Sequence, residues 1–191
     1  MIGLTATIVA LSACAPAKSP QPAVPEFEGP WATEFAEQFR DADFEFVRDV
    51  LRDGKIAEQE YVEMTDRYRK CMNGAGLMTT DFQWDGSSEY TFSPQMGPDR
   101  AHAAAMKCSD ESGEYPIEYL YRNIKANPEN LDTDTIMAAC FVRKGVVPPG
   151  YDVKQYRRDN DGGAFAFRDT ESGRDVYDEC AADPLGLIRG Q

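Results

Sequence analysis

The chain has one histidine, His102, and that scarcity excludes any site built from two or more imidazoles. Cations are scarce too. Twenty Lys and Arg against 33 Asp and Glu leave a formal charge of −13, which argues against nucleic acid as a partner, because phosphate binding needs a cationic surface. No Cys-x-x-Cys pair occurs, so neither a zinc knuckle nor a dithiol redox centre is written in the sequence. Gly-x-Ser-x-Gly, Ser-x-x-Lys and phosphate-cradling glycine loops are missing as well. The apolar run at the start spans only thirteen residues, short of the roughly 20 that a helix needs to cross a bilayer. No cofactor is implied by what remains.

What is present is enough for a folded domain: 191 residues, 42% hydrophobic and 11% aromatic, exceed what a disordered chain carries. The opening MIGLTATIVALSAC is an apolar run that stops at small residues and a cysteine, the layout of a signal-peptide h-region. Leu11-Ser12-Ala13-Cys14 resembles the lipobox of bacterial lipoproteins, although no Lys or Arg precedes the apolar run. That resemblance implies removal of residues 1–13 and diacylglyceryl attachment to the Cys14 thiol. Residues 14–30 then read as a tether, with prolines at 16, 20, 22, 25 and 30 that favour an extended chain. Two buried acyl chains give durable anchorage. The expected arrangement is a protein anchored at the cell membrane on its extracytoplasmic face, with one domain over residues 31–191, and the whole net charge belongs to the chain from Cys14 onward.

Cys71, Cys108, Cys140 and Cys180 form an even set in a chain expected to be exported, so disulfides are the default. Three pairings are possible. Cys71, Cys108 and Cys140 are each followed by glycine at Cys-x₄-Gly, and Cys180 misses that spacing by one residue. The gaps 71–108 and 140–180 are nearly equal, and each contains an aromatic-x-aromatic pair, Tyr90-Thr-Phe92 and Phe165-Ala-Phe167. A weak duplication over about 57–113 and 131–186 follows, and it predicts Cys71–Cys108 and Cys140–Cys180.

Apolar residues at three- and four-residue spacing predict one helix over 31–51, a second from Ala57 to Cys71, and further helices around Pro98–Cys108 and Ile117–Ile124. Asp132 or Thr133 caps another through Cys140, Asp152 starts a short one, and the last contains Val176, Tyr177 and Cys180. Residues 78–92, with Asp85-Gly86-Ser87-Ser88 between apolar stretches, predict a small β-hairpin, and Phe165–Phe167 a second extended piece. The fold class expected is α+β, mainly helical, with an N-terminal helical hairpin. Asp53-Gly-x-Ile56, Glu60-Tyr61, and Leu120-Tyr-x₅-Asn-Pro128 before a Cys-bearing helix are similar to small disulfide-containing lipoproteins of high-GC Gram-positive bacteria. That likeness implies an address and no chemistry.

Candidate chemistry is thin. Asp49 to Glu60 matches an EF-hand loop at positions 1, 5, 6, 8 and 12, but Leu51 stands where the third ligand is required. Asp159-Asn-Asp-Gly162 lacks carboxylates at the loop's first and last positions, so no metal site is expected. His102 reads as a structural or merely exposed helical residue, and no catalytic residue is assigned. Tyr115, Tyr119, Tyr121, Tyr151 and Tyr156 cluster around two proline connectors, where they either cap a small core, the bland reading, or together form a candidate binding surface. The function expected is a binding or scaffolding module of the envelope, without catalysis, whose partner is an envelope protein or glycan. The alternatives are a cell-wall or carbohydrate hydrolase using a carboxylate pair, and an accessory subunit of a membrane complex.

Overall fold

A computed structural model describes residues 23–163 and 165–189; residues 1–13, Cys14 and the first part of the tether lie outside them. The fold is mainly helical with one small antiparallel hairpin, as the sequence predicts. Packing begins at Phe27, whose ring stacks on Phe35 at 5.8 Å and meets Phe39 edge-on at 6.1 Å.

The apolar stripe expected as one helix is two, α1 (Ala32–Asp41) and α2 (Glu45–Leu51), with Ala42 and Phe44 extended between them. The break has a tertiary cause. Folding α2 back lets Val47 and Leu51 share one apolar cluster with Phe35 and Phe39, which a straight helix could not do. The Arg48 guanidinium donates to the Ala42 carbonyl at 2.5 Å and fixes the corner.

Helix α3 (Glu58–Gly74) starts where Glu60 accepts the Ala57 backbone N–H at 2.7 Å, and it buries Met64, Tyr68 and Met72. β1 (Leu77–Thr79) pairs antiparallel with β2 (Tyr90–Phe92), Leu77 opposite Phe92. α4 (Pro98–Ser112) and α5 (Glu114–Ala126) meet at Gly113, which has φ 70°. A Cβ there would lie 2.5 Å from Val47 Cγ2, so both the left-handed backbone and the close approach require glycine. This corner locks onto α2.

The C-terminal part has its own core. α6 (Thr133–Arg143) is capped by Asp132, whose carboxylate accepts the Thr135 N–H at 3.0 Å. α7 (Val153–Asp161) has a reciprocal Asp152–Gln155 cap, and α8 (Glu171–Ala182) follows. Phe165–Phe167, expected to be extended, instead leads into a 3-10 turn over Ala166–Asp169. No strand lies beside it among the described residues, so its backbone bonds close locally, Arg168 N–H to Phe165 O at 2.9 Å. Phe165 and Phe167 both pack edge-on against Phe141.

The two disulfides are Cys71–Cys108 and Cys140–Cys180, each joining two helices across loops of 37 and 40 residues. Loop closure of that length is worth about 4 kcal/mol each in the chain-entropy account. The first ties α3 to α4 and the second α6 to α8. The end of α5 and the connector to α6 are tied back to α1, where the Trp31 indole donates to the Asn127 carbonyl at 3.0 Å and Asn130 donates to Glu34 at 2.8 Å. At the other end the Asp183 carboxylate accepts the N–H groups of Leu187, Ile188 and Arg189, and Arg189 lies over the Trp84 ring at 4.6 Å.

Gly113→Ala should lower the unfolding free energy by about 2 kcal/mol, from left-handed strain together with contact against Val47. Adding Val47→Ala removes the contact and leaves the strain, so the two changes should be less than additive in denaturant melts. Full additivity would show that Gly113 does not seat α2.

Candidate functional site

Because Gly113 admits Val47, the α1–α2 corner and the α4–α5 corner lie side by side. Between them is a cavity of about 580 Å³. The first corner contributes Asp41, Asp43 and Phe44; the second contributes Asp110, Glu111 and Tyr115. The helix break that the sequence pattern hid is thus what supplies one wall. Phe44 is 39% exposed and Tyr115 62%, so two aromatic rings stand open to solvent among carboxylates. Glu111 pairs with Lys107 at 3.5 Å. Among the described residues the carboxylates of Asp41, Asp43 and Asp110 take part in no hydrogen bond or ion pair. The groove therefore combines apolar area with uncompensated negative charge, which suits a cation carried on an aliphatic stem.

The five tyrosines do not make one surface. Tyr115 lines the groove and stacks on half-buried Tyr119 at 5.9 Å. Tyr121 stacks on Tyr61 at 4.0 Å, accepts from Lys125 at 2.6 Å and donates to Glu58, which fixes the start of α3 to α5. The Tyr121 hydroxyl and Lys125 hold the Glu58 carboxyl below its ordinary value. Burial pushes the Tyr61 phenol up to about 12. Tyr151 and Tyr156 belong to the other core. Tyr156 is only 5% exposed and packs on Phe141 and Phe165, so its expected place on a binding surface is corrected: it is a core residue. Tyr151 donates to Asp159 at 2.8 Å, and burial with that carboxylate raises its pKa. Among the described residues no ring contact joins the two tyrosine groups.

The remaining candidates are occupied locally. In the Asp49–Glu60 loop, Asp49 pairs with Arg52 at 2.5 Å and Glu60 caps α3, so both terminal carboxylates have other partners. His102 is exposed on α4. The one buried glutamate, Glu118 on α5, receives Arg122 Nε at 2.8 Å, and the hairpin loop closes over both at Gly86, where a Cβ would collide with Glu118 and Arg122. Desolvation raises its pKa against the opposing pull of Arg122, with Glu114 and Asp85 adding to the rise. The hairpin loop thus lies directly over the Glu118–Arg122 pair.

Comparison with known proteins adds no family. No protein-family model, no curated protein and no solved structure matches the chain. Sequence reading reached Tyr115 but missed Asp41, Asp43, Phe44, Asp110 and Glu111. The available signal was Asp-Ala-Asp at 41–43, short polar residues interrupting an apolar stripe.

Because the folded pKa of Glu118 is raised, the folded state holds its proton more firmly than the unfolded chain. Its contribution favours folding at low pH and is lost as pH rises from about 4.5 through the folded pKa. Glu118→Gln should remove that slope from a stability–pH profile and destabilise little at neutral pH. Arg122→Met strands the carboxylate and should lower stability by about 3 kcal/mol at pH 7. Equal losses from both variants would contradict this account.

Proposed function

We propose that the protein is a lipid-anchored, extracytoplasmic envelope protein whose domain acts as a non-catalytic binding module for a cationic partner, with the groove between the two helix corners as its site. The groove carries this reading: three carboxylates with no hydrogen bond or ion pair among the described residues stand around two exposed aromatic rings. A cationic group can lie on the Tyr115 face while its charge meets Asp41, Asp43 or Asp110. The net charge of −13 adds long-range attraction for such a partner and speeds encounter.

The address rests on different evidence. The lipobox-like Leu11–Cys14 and the proline tether give the anchor, and two disulfides accord with an oxidising compartment. Among the described residues no helix is long and apolar enough to cross a membrane. Anchor and tether would hold the groove above the lipid surface, where a partner in the envelope can reach it.

Two arms test the reading with the exported full-length protein. Cys14→Ser should move it from the membrane fraction to the soluble one; continued membrane fractionation after signal removal would overturn the anchor. In the wild-type background, acetylated trilysine should bind, and Asp41→Asn with Asp43→Asn should weaken it roughly tenfold at low salt. Tyr115→Ala should weaken it several-fold without lowering the melting temperature. Trilysine affinity unchanged by all three substitutions would remove the groove as the site.

A further inference from the structure

The groove does not end at Glu111. The same residue lines a second, more open cavity of about 820 Å³, bounded by Val62, Glu63, Asp66 and Arg67 on the outer face of α3. Glu63 and Arg67 in turn line a third cavity of about 440 Å³, with Glu45, Phe46 and Asp49 of α2. Three cavities joined by shared walls make one track, running from the α1–α2 corner past the Cys71–Cys108 disulfide to the far side of α2.

Two properties of the track indicate its occupant. Its lining is mostly acidic: nine acidic residues against three basic ones, Lys107, Arg67 and Lys70, although Asp49, Glu60, Glu63, Asp66 and Glu111 already meet Arg52, the Ala57 N–H, Arg67, Arg69 and Lys107. Two of those bases are already held, Lys107 by Glu111 at 3.5 Å, and Arg67 by Glu63 at 2.8 Å with its guanidinium over the Phe46 ring at 3.9 Å. Glu45 joins Asp41, Asp43 and Asp110 as a carboxylate without a hydrogen bond or ion pair among the described residues. Apolar contacts recur along the path as well, with Phe44 and Tyr115 open in the first cavity and Val62, 49% exposed, in the second. A second copy of this chain carries the same −13 and would be repelled.

Resting on the binding role given to the first cavity, we propose that the whole track takes an extended Lys- or Arg-rich polypeptide segment of a partner protein. In an extended strand, alternate side chains fall on one face about 6.6 Å apart, so successive cationic side chains can reach successive cavities. Aliphatic stems lie on the exposed rings and Val62, and the charged ends meet the carboxylates. A ligand confined to the first cavity gains nothing from Glu63 or Asp66; a chain along the track does.

Acetylated lysine peptides of three and nine residues separate these cases, titrated calorimetrically into the full-length protein at low salt. The nine-residue peptide should bind at least about 30-fold more tightly, beyond the roughly sevenfold gained from extra binding registers. Glu63→Gln with Asp66→Asn should weaken the long peptide about fivefold and leave the short one unchanged. Asp41→Asn with Asp43→Asn should weaken both, and every variant should melt with the wild type. A long peptide no tighter than its registers allow, and indifferent to Glu63 and Asp66, overturns the track and leaves the first cavity standing. Failure of both peptides overturns the first cavity as well. A glucosamine trimer that binds while neither peptide does overturns the assignment to polypeptide.

Discussion

The contact between Gly113 and Val47 governs how the N-terminal helices assemble. With a positive φ and no side chain, Gly113 turns α4 directly into α5 and leaves room for the Val47 methyl. That seat draws α2 into the angle between the two later helices, which in turn forces the chain to bend at Ala42–Phe44. The bend places Phe44 outside while Phe35, Phe39, Val47 and Leu51 go inside. One backbone conformation thus determines both the packing of the first core and the wall of the groove.

The rest of the molecule distributes its stability over separate units. Each disulfide closes a loop of about forty residues within one unit, α3 to α4 in the first and α6 to α8 in the second. Around Cys140–Cys180 the core is dense in aromatic rings, with Phe141 touching Tyr156, Phe165, Phe167 and Tyr177. Hydrogen bonds from Trp31 and Asn130 tie the connector between the units back to α1, and Arg189 reaches from the C-terminal unit over the Trp84 ring. The hairpin loop covers buried Glu118 and its Arg122 partner. Polar groups do the joining and apolar groups fill the interiors.

Much of this was legible in the residues. Helical spacing placed the helices, Asp132 and Asp152 marked their caps, and the equal cysteine gaps gave both disulfides. Three features were not, for tertiary reasons. The bend in the 31–51 stripe follows from where Val47 packs, against Gly113, 66 residues further along the chain and beyond anything local spacing can see. The Phe165 segment lacks a partner strand, so its apolar pair closes into a 3-10 turn instead. Tyr156 looks like Tyr115 by composition, but it is the buried residue of α7, so the helix must press it into the core. The groove was hardest to read, because its carboxylates come from two corners far apart in the chain.

That groove, an anionic surface with open aromatic rings, is the centre of the functional account. Chemical-shift mapping of isotope-labelled protein titrated with acetylated trilysine tests it most directly. Perturbed amides should cluster at Asp41–Val47 and Ser109–Pro116, fading as salt rises. Shifts concentrated on α6–α8, or spread evenly over the acidic surface, would contradict it.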